Sequence, residues 1–335
     1  MKRIVALVLG TGVVVLTSFL AINSASPRLV SPLVSSFVKT TPIPAANKYT
    51  LLSFMALAER EYKSEIKLGA ATKKEDKYIT YIFTFLSDGK TVSGMANIPK
   101  GKGPFPVIVL LRGYADRENY HIGLGTERSA NFLAANGFLT LAPDFLGYGY
   151  SDWEDEDILM ARFYRPVEVL NLIAAIGSLP QADTKRVGLW GHSNGGQIAL
   201  SVLEITGKNY PTSLWAPVSL GFPESVLVYL GKEEEVGNPV KEKIDEFSKT
   251  NDPRKYSILE YLSRIKAPFI IHQGGADTLI KTEWTETLVE KLRSYGLQAD
   301  YYFYKGENHN FNNFKKTGEE LRKKDLLFFQ KYLGN

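Results

Sequence analysis

No cysteine occurs among the 335 residues. Disulfides, thiolate zinc sites and a lipid attached through cysteine are therefore excluded. An excess of one charge is missing as well. Forty basic residues against 36 acidic ones leave a formal charge of +4, and the basic side chains are scattered rather than gathered into a stripe, so nucleic acid is not an implied partner. Internal repeats are absent. What remains, 44% hydrophobic and 23% charged, is the profile of a globular chain with a large core, not of a disordered one.

Long apolar runs are also scarce, with one exception at the N-terminus. Lys2-Arg3 precede an uncharged, mostly apolar stretch from Ile4 to Ile22. It is longer than the roughly 7 to 15 residues of a signal-peptide core and close to the roughly 20 that span a bilayer. The following Ala21-Ile22-Asn23-Ser24-Ala25-Ser26-Pro27 offers only imperfect small-residue pairs for cleavage. The expectation for residues 1–23 is thus an uncleaved membrane anchor, with a cleaved signal peptide as the alternative. With Lys2 and Arg3 held inside, the rest of the chain lies outside the cytoplasm, anchored by the N-terminal helix or secreted. Residues 24–47 carry Pro27, Pro32, Pro42 and Pro44 without a sustained period, which predicts a linker. The folded domain is expected over 48–335.

Within that domain, Tyr78 to Leu86 alternates in the manner of a strand. Ser87-Asp88-Gly89-Lys90 supplies turn chemistry, and Thr91 to Ile98 returns, which predicts an antiparallel hairpin. Val107 to Leu111 is continuously apolar, as expected of a strand buried on both faces. Helical patterns (129–136, 158–179, 283–294, 313–332) then alternate with strand patterns (138–142, 187–190, 213–216, 269–272, 300–304). That alternation predicts an α/β fold, a mostly parallel sheet with helices on both faces. Residues 217–266 fit it poorly, with helical pieces around 225–230 and 240–249. They are read either as an insertion that caps a site, with Phe222, Tyr229 and Leu230 as apolar lining of its cleft, or as helices covering the sheet edge.

Chemistry concentrates around Gly191-His192-Ser193-Asn194-Gly195-Gly196, a G-x-S-x-G match between the apolar strand Val187-Gly188-Leu189-Trp190 and a helical run from Gln197. A sharp strand-to-helix turn lifts the serine oxygen above the sheet and needs small neighbours. Ser193 is the candidate nucleophile. A serine hydroxyl is weak near neutral pH, so it requires a histidine base and a carboxylate that orients it.

Two of the four histidines follow Ser193. His272 sits inside an apolar strand and reads as structural. His309, in the polar loop Gly306-Glu307-Asn308-His309-Asn310-Phe311, is the candidate base. His121 precedes the serine, and the His192 side chain is expected to point away from the cleft. Asp277, after the glycines of Gln273-Gly274-Gly275-Ala276-Asp277, is the candidate acid, with turn or helix capping as its ordinary alternative. Asp300 and Asp252 are weaker rivals. Acyl transfer also needs two donors for a developing oxyanion. The backbone N–H groups of Asn194 and Tyr114 are the candidates, the latter in Arg112-Gly113-Tyr114 after the first buried strand. Asp144 through Ser151 is read as structural.

From about Tyr78 onward the chain resembles the α/β-hydrolase catalytic domain of the prolyl oligopeptidase family, including bacterial members related to dienelactone hydrolases. The elbow hexapeptide, Ile271-His272-Gln273-Gly274-Gly275-Ala276-Asp277 and Tyr304-Lys305-Gly306-Glu307-Asn308-His309-Asn310-Phe311 carry the resemblance, supported by Pro143-Asp144 through Ser151 and Pro104-Phe105-Pro106-Val107. It implies Ser193 as nucleophile, Asp277 as acid and His309 as base, with no cofactor. The implied substrate is a small ester or a short peptide. One motif departs from the family: relatives usually place His-Gly-Tyr or His-Gly-Gly where this chain has Arg112-Gly113-Tyr114. Peptidase members often carry a β-propeller, and at roughly 40 to 45 residues per blade the stretch before Tyr78 cannot hold one. Esterase-type hydrolysis is the first expectation and peptidase activity the second; a catalytically silent binding protein of the same fold is the competing class.

Overall fold

The computed structural model describes residues 47–230 and 234–334. The expected anchor over 1–23 lies outside these residues, as does the linker apart from Asn47. Among the described residues, no helix is long and apolar enough to cross a membrane.

In chain order the elements are α1 (Phe54–Ala58), β1 (Lys67–Lys74), β2 (Tyr78–Ser87), β3 (Lys90–Pro99), β4 (Phe105–Leu111), α2 (Glu127–Ala134), β5 (Leu139–Pro143), α3 (Ile158–Ala175), β6 (Ala182–His192), α4 (Asn194–Thr206), β7 (Thr212–Trp215), α5 (Glu224–Leu230), α6 (Glu234–Thr250), β8 (Phe269–Gly274), α7 (Thr282–Ser294), β9 (Ala299–Tyr304) and α8 (Thr317–Leu333). The strands form one sheet in the order β1-β2-β3-β5-β4-β6-β7-β8-β9. The pairs β1/β2, β2/β3 and β3/β5 are antiparallel; from β5 through β9 every pair is parallel. The expected hairpin is β2–β3, in unbroken register from Tyr78↔Pro99 to Ser87↔Lys90.

Side-chain alternation on β4 shows how the core divides. Val107, Val109 and Leu111 pack on one face with Leu170 and Leu172 of α3, Leu200 and Leu203 of α4 and Leu288 of α7. Ile108 and Leu110 pack on the other with Leu133 of α2 and Phe329 of α8. All five β4 side chains are fully buried, which is why the strand reads as a continuous apolar run.

Segment 217–266 folds as α5, α6 and two short 3₁₀ turns, Pro253–Tyr256 and Leu262–Arg264. It joins the α3 face through an aromatic cluster in which Phe163 meets Phe222 (centroids 5.1 Å), Phe247 (5.6 Å) and Tyr256 (4.6 Å). The carboxylate of Asp157 caps α3 by accepting from the Leu159 and Met160 N–H groups. It also takes Lys243 of α6, Lys48 and the Tyr49 hydroxyl. One side chain thereby ties the start of the domain to α3 and α6.

Candidate active site

Ser193 lies between β6 and α4 with φ 54° and ψ −121°, a conformation a non-glycine residue adopts only when its surroundings impose it. Here they do. The Ser193 N–H donates to the Trp215 carbonyl at the end of β7 (2.9 Å), and its carbonyl accepts from Gly196 (3.0 Å) and Val218 (2.9 Å). A Cβ on Gly191 would stand 2.6 Å from the Gly195 carbonyl oxygen, and one on Gly195 would stand 1.9 Å from that of Leu111. Close backbone crossing, not local flexibility, demands glycine at both positions.

Asp277 and His309 come from the loops after β8 and β9, which are laced together. Gly275 N–H donates to the Tyr304 carbonyl (2.9 Å) and Ala276 N–H to that of Glu307 (2.8 Å). The buried Glu307 carboxylate shapes the histidine loop from inside, accepting from the N–H groups of Asn313 (3.0 Å) and Phe314 (3.1 Å). His309 Nδ1 thereby meets Asp277 Oδ2 at 2.8 Å. Asp277 Oδ1 accepts from Leu279 (2.8 Å) and Ile280 (2.9 Å) N–H. Turn capping and contact with histidine are thus both true of Asp277, one oxygen for each. Burial alone would raise this carboxyl, but the hydrogen bond from His309, with those from Ile280 and Leu279, holds it below the usual carboxylate range.

The loop after β4 lies against the elbow, since a Cβ on Gly113 would come within 2.9 Å of Ser193 Cβ. Tyr114 follows with its side chain 82% exposed, so its phenol is not packed into the site, while its N–H belongs to the loop that faces Ser193. Asn194 opens α4, where the first N–H groups of a helix lack partners within it. The structure therefore gathers Ser193, Asn194, Gly113-Tyr114, Asp277 and His309 at the carboxyl ends of β4, β6, β8 and β9.

Other sequence candidates fall elsewhere. His272 is buried, its Nε2–H donating to Asp325 (3.0 Å) and its Nδ1 accepting from the Tyr304 hydroxyl (2.9 Å). Asp252 caps the 253–256 turn and pairs with Arg254; Asp300 lies within β9. His121 is exposed. Among the described residues no group of three or more metal-ligating side chains is assembled.

Two expectations are corrected. The His192 side chain does not point away from the site: its Nε2–H donates to the His309 carbonyl (2.9 Å), and the two rings are 4.8 Å apart. Burial, then the neighbouring His309, lowers it to about 4, so it is a neutral donor near pH 7. Phe222, expected to line a cleft, belongs to the aromatic cluster under α6 instead.

In the sequence Arg112 stands out only as a departure from a motif. Buried, it donates from Nη1 to the Gly113 carbonyl (2.9 Å) and from Nη2 to that of Asp144 (2.7 Å). Its guanidinium sits 3.9 Å from the ring centroid of Tyr148 and 4.8 Å from that of Tyr120. Asp144 accepts from Tyr120 and Ser93, so 144–151 forms a scaffold for the loop beside Ser193. A lone arginine before a glycine carries no sequence signal of this, because Asp144 lies 32 residues away.

Two Escherichia coli sequences, each described as an uncharacterized 31.7 kDa protein in the traX-finO intergenic region, are 29% identical over 114 residues; the match takes in 33% of this chain and 38% of each relative. The chain thus spans well under half the length of these curated relatives. Among solved structures, an acetyl xylan esterase from Paenibacillus sp. R4 superposes with a TM-score of 0.61 at 18% identity, covering 84% of this chain and 92% of that one. The acylaminoacyl peptidase of Pyrococcus horikoshii gives 0.59 at 19% identity, covering 78% and 43%. These likenesses establish the α/β-hydrolase fold. A model of the prolyl oligopeptidase family matches residues 125–335, well over half of the chain and all of the loops carrying Ser193, Asp277 and His309, and by that match the chain belongs to the prolyl oligopeptidase family.

Proposed function

We propose that Ser193, His309 and Asp277 act as a catalytic triad and that the enzyme hydrolyses short-chain carboxylic esters. The single observation that carries this reading is the 2.8 Å bond from His309 Nδ1 to Asp277, made beside a serine held at positive φ. That bond fixes the tautomer in which Nε2 is free to take a proton, and the carboxylate stabilises the imidazolium that results. Ser193 Oγ attacks the ester carbonyl while His309 Nε2 receives its proton. The Asn194 and Tyr114 N–H groups bind the oxyanion. His309 returns the proton to the leaving alkoxide, and water, activated in the same way, releases the acid and restores Ser193.

Esters are favoured over peptides on chemical grounds. An alkoxide leaves with less assistance than an amine, which must be protonated first. Peptide hydrolysis is the second reading, favoured by the family itself. The deciding experiment measures kcat/KM for an ester and an amide bearing the same acyl group, with Ser193→Ala as control. The ester reading expects a preference of a hundredfold or more; equal efficiencies would replace it with the peptidase. Export from the cytoplasm, by anchor or signal peptide, rests on Lys2-Arg3 and the Ile4 to Ile22 run. Fractionation of cells expressing the full chain tests it: recovery in the cytoplasm alone would contradict it.

A further inference from the structure

Arg162, on α3, has no acidic partner among the described residues. The neighbouring Arg165 pairs with Glu154 and Glu168, whereas Arg162 Nη2 donates to two neutral oxygens, Gln197 Oε1 and Ser225 Oγ (2.8 Å). Its Nε and Nη1 have no hydrogen-bond partner among the described residues, and the side chain is partly exposed. Burial pushes the guanidinium down to about 10, so near neutral pH it stays charged in an environment that penalises charge.

Its surroundings connect it to the elements that carry the candidate site. Gln197, on α4, follows Ser193 by four residues, about 6 Å along the helix axis. It is braced by its Nε2 donating to the Leu220 carbonyl (3.2 Å). Tyr229 of α5 also neighbours the guanidinium, and its hydroxyl donates to the carbonyl of Leu279 (3.3 Å), two residues from Asp277. Asp277 and Arg162 both act on the ionisation of that phenol. The guanidinium thus lies in the space bounded by the first turn of α4, by α5 and by the Asp277 loop.

We infer that Arg162 is a recognition site for a substrate carboxylate, so that the preferred ester carries a carboxylate a few carbons from the scissile carbonyl. Resting on the ester hydrolysis proposed above, this names the substrate class of that site. With both Nη2 hydrogens taken by Gln197 and Ser225, the unfilled Nη1–H donors offer a carboxylate a charge-assisted hydrogen bond. One cation with neutral neighbours balances a single negative charge; a phosphate dianion would leave one charge unpaired in a confined site.

The test uses substrate pairs of similar size. Mono-4-nitrophenyl succinate against 4-nitrophenyl butyrate places the carboxylate on the acyl side; 4-(butyryloxy)benzoate against phenyl butyrate places it on the leaving-group side. In Arg162→Met the anionic-to-neutral ratio of kcat/KM is expected to fall at least tenfold for one pair, which also identifies the side. Gln197→Glu, which sets a carboxylate on the guanidinium from within, is expected to lower the same ratio. A ratio unchanged in both pairs, with folding verified by circular dichroism, overturns the inference. A separate arm does not depend on turnover: calorimetric titration of Ser193→Ala protein with monomethyl succinate and with methyl butyrate. Binding of the half-ester alone, lost when Arg162→Met or Gln197→Glu is added, supports the carboxylate site even if the triad assignment fails; equal binding with and without the second substitution overturns it.

Discussion

The residue before the nucleophile holds the main chain of the base: His192 Nε2–H donates to the His309 carbonyl at 2.9 Å. Protonation would keep this donor but place a charge in a buried site, and burial therefore holds its folded value at about 4 against roughly 6.5 in an unfolded chain. Between those values the unfolded state binds more protons, so stability is fully present above about pH 6.5 and declines as pH falls towards 4. The loss at the acid end is about 2–3 kcal/mol. Thermal melts from pH 7.5 to 4.5 should show this slope in the wild type and a shallower one in His192→Gln, whose amide can still donate to the carbonyl. Parallel curves would remove His192 as the source.

Beneath the elbow, the buried carboxylate of Asp325 accepts from Trp190 Nε1 (3.1 Å), Trp215 Nε1 (2.8 Å), Ser213 Oγ (2.7 Å) and His272 Nε2 (3.0 Å). It thereby joins α8 to β6, β7 and β8. In Asp325→Asn the amide turns donors towards donors, and we expect a loss of about 2–4 kcal/mol in chemical denaturation. A change under 0.5 kcal/mol would show that the network contributes little.

Arg112 supports the loop that carries the proposed oxyanion donor, so its removal should affect catalysis more than binding. In Arg112→Met the Gly113 and Asp144 carbonyls lose their partner. Steady-state kinetics should show kcat reduced about a hundredfold with KM changed less than threefold, in line with disturbance of one oxyanion-hole donor. A rise in KM at constant kcat would move Arg112 from positioning to substrate binding.

Tyr114→Phe tests the same loop from the other direction. With a side chain 82% exposed and a backbone donor proposed, the variant should keep kcat within about threefold of wild type. A thousandfold loss would mean that the phenol itself bonds the oxyanion.

How much of this was readable beforehand follows from how local each signal is. The hairpin, the buried run of β4 and the strand-glycine-helix order around Ser193 are contiguous patterns, and each stands where it was expected. Strand β1 was not anticipated: all of Lys67–Lys74 is exposed, so no alternation of apolar residues betrays it, and it pairs with β2 through an irregular register at the sheet edge. Charged edge strands of this kind resist further pairing. Asp325 resembles an ordinary surface acid because it follows Lys323-Lys324, while its four partners lie between 53 and 135 residues away. Asp277 and His309 could be picked from the order of motifs, but the lacing of their loops through Glu307 could not. The direction of the His192 ring has no local signal, because it depends on a contact with the loop after β9, 117 residues along the chain.

The most direct test of the account is labelling with a fluorophosphonate followed by peptide mass spectrometry. If Ser193 is activated by His309 and Asp277, the folded wild type should carry one phosphonyl adduct, on Ser193. Ser193→Ala should carry none, and His309→Ala should react at least a hundredfold more slowly, since members of a triad act as a unit. Wild-type protein that stays unlabelled, or an adduct that forms equally fast in His309→Ala, would contradict it.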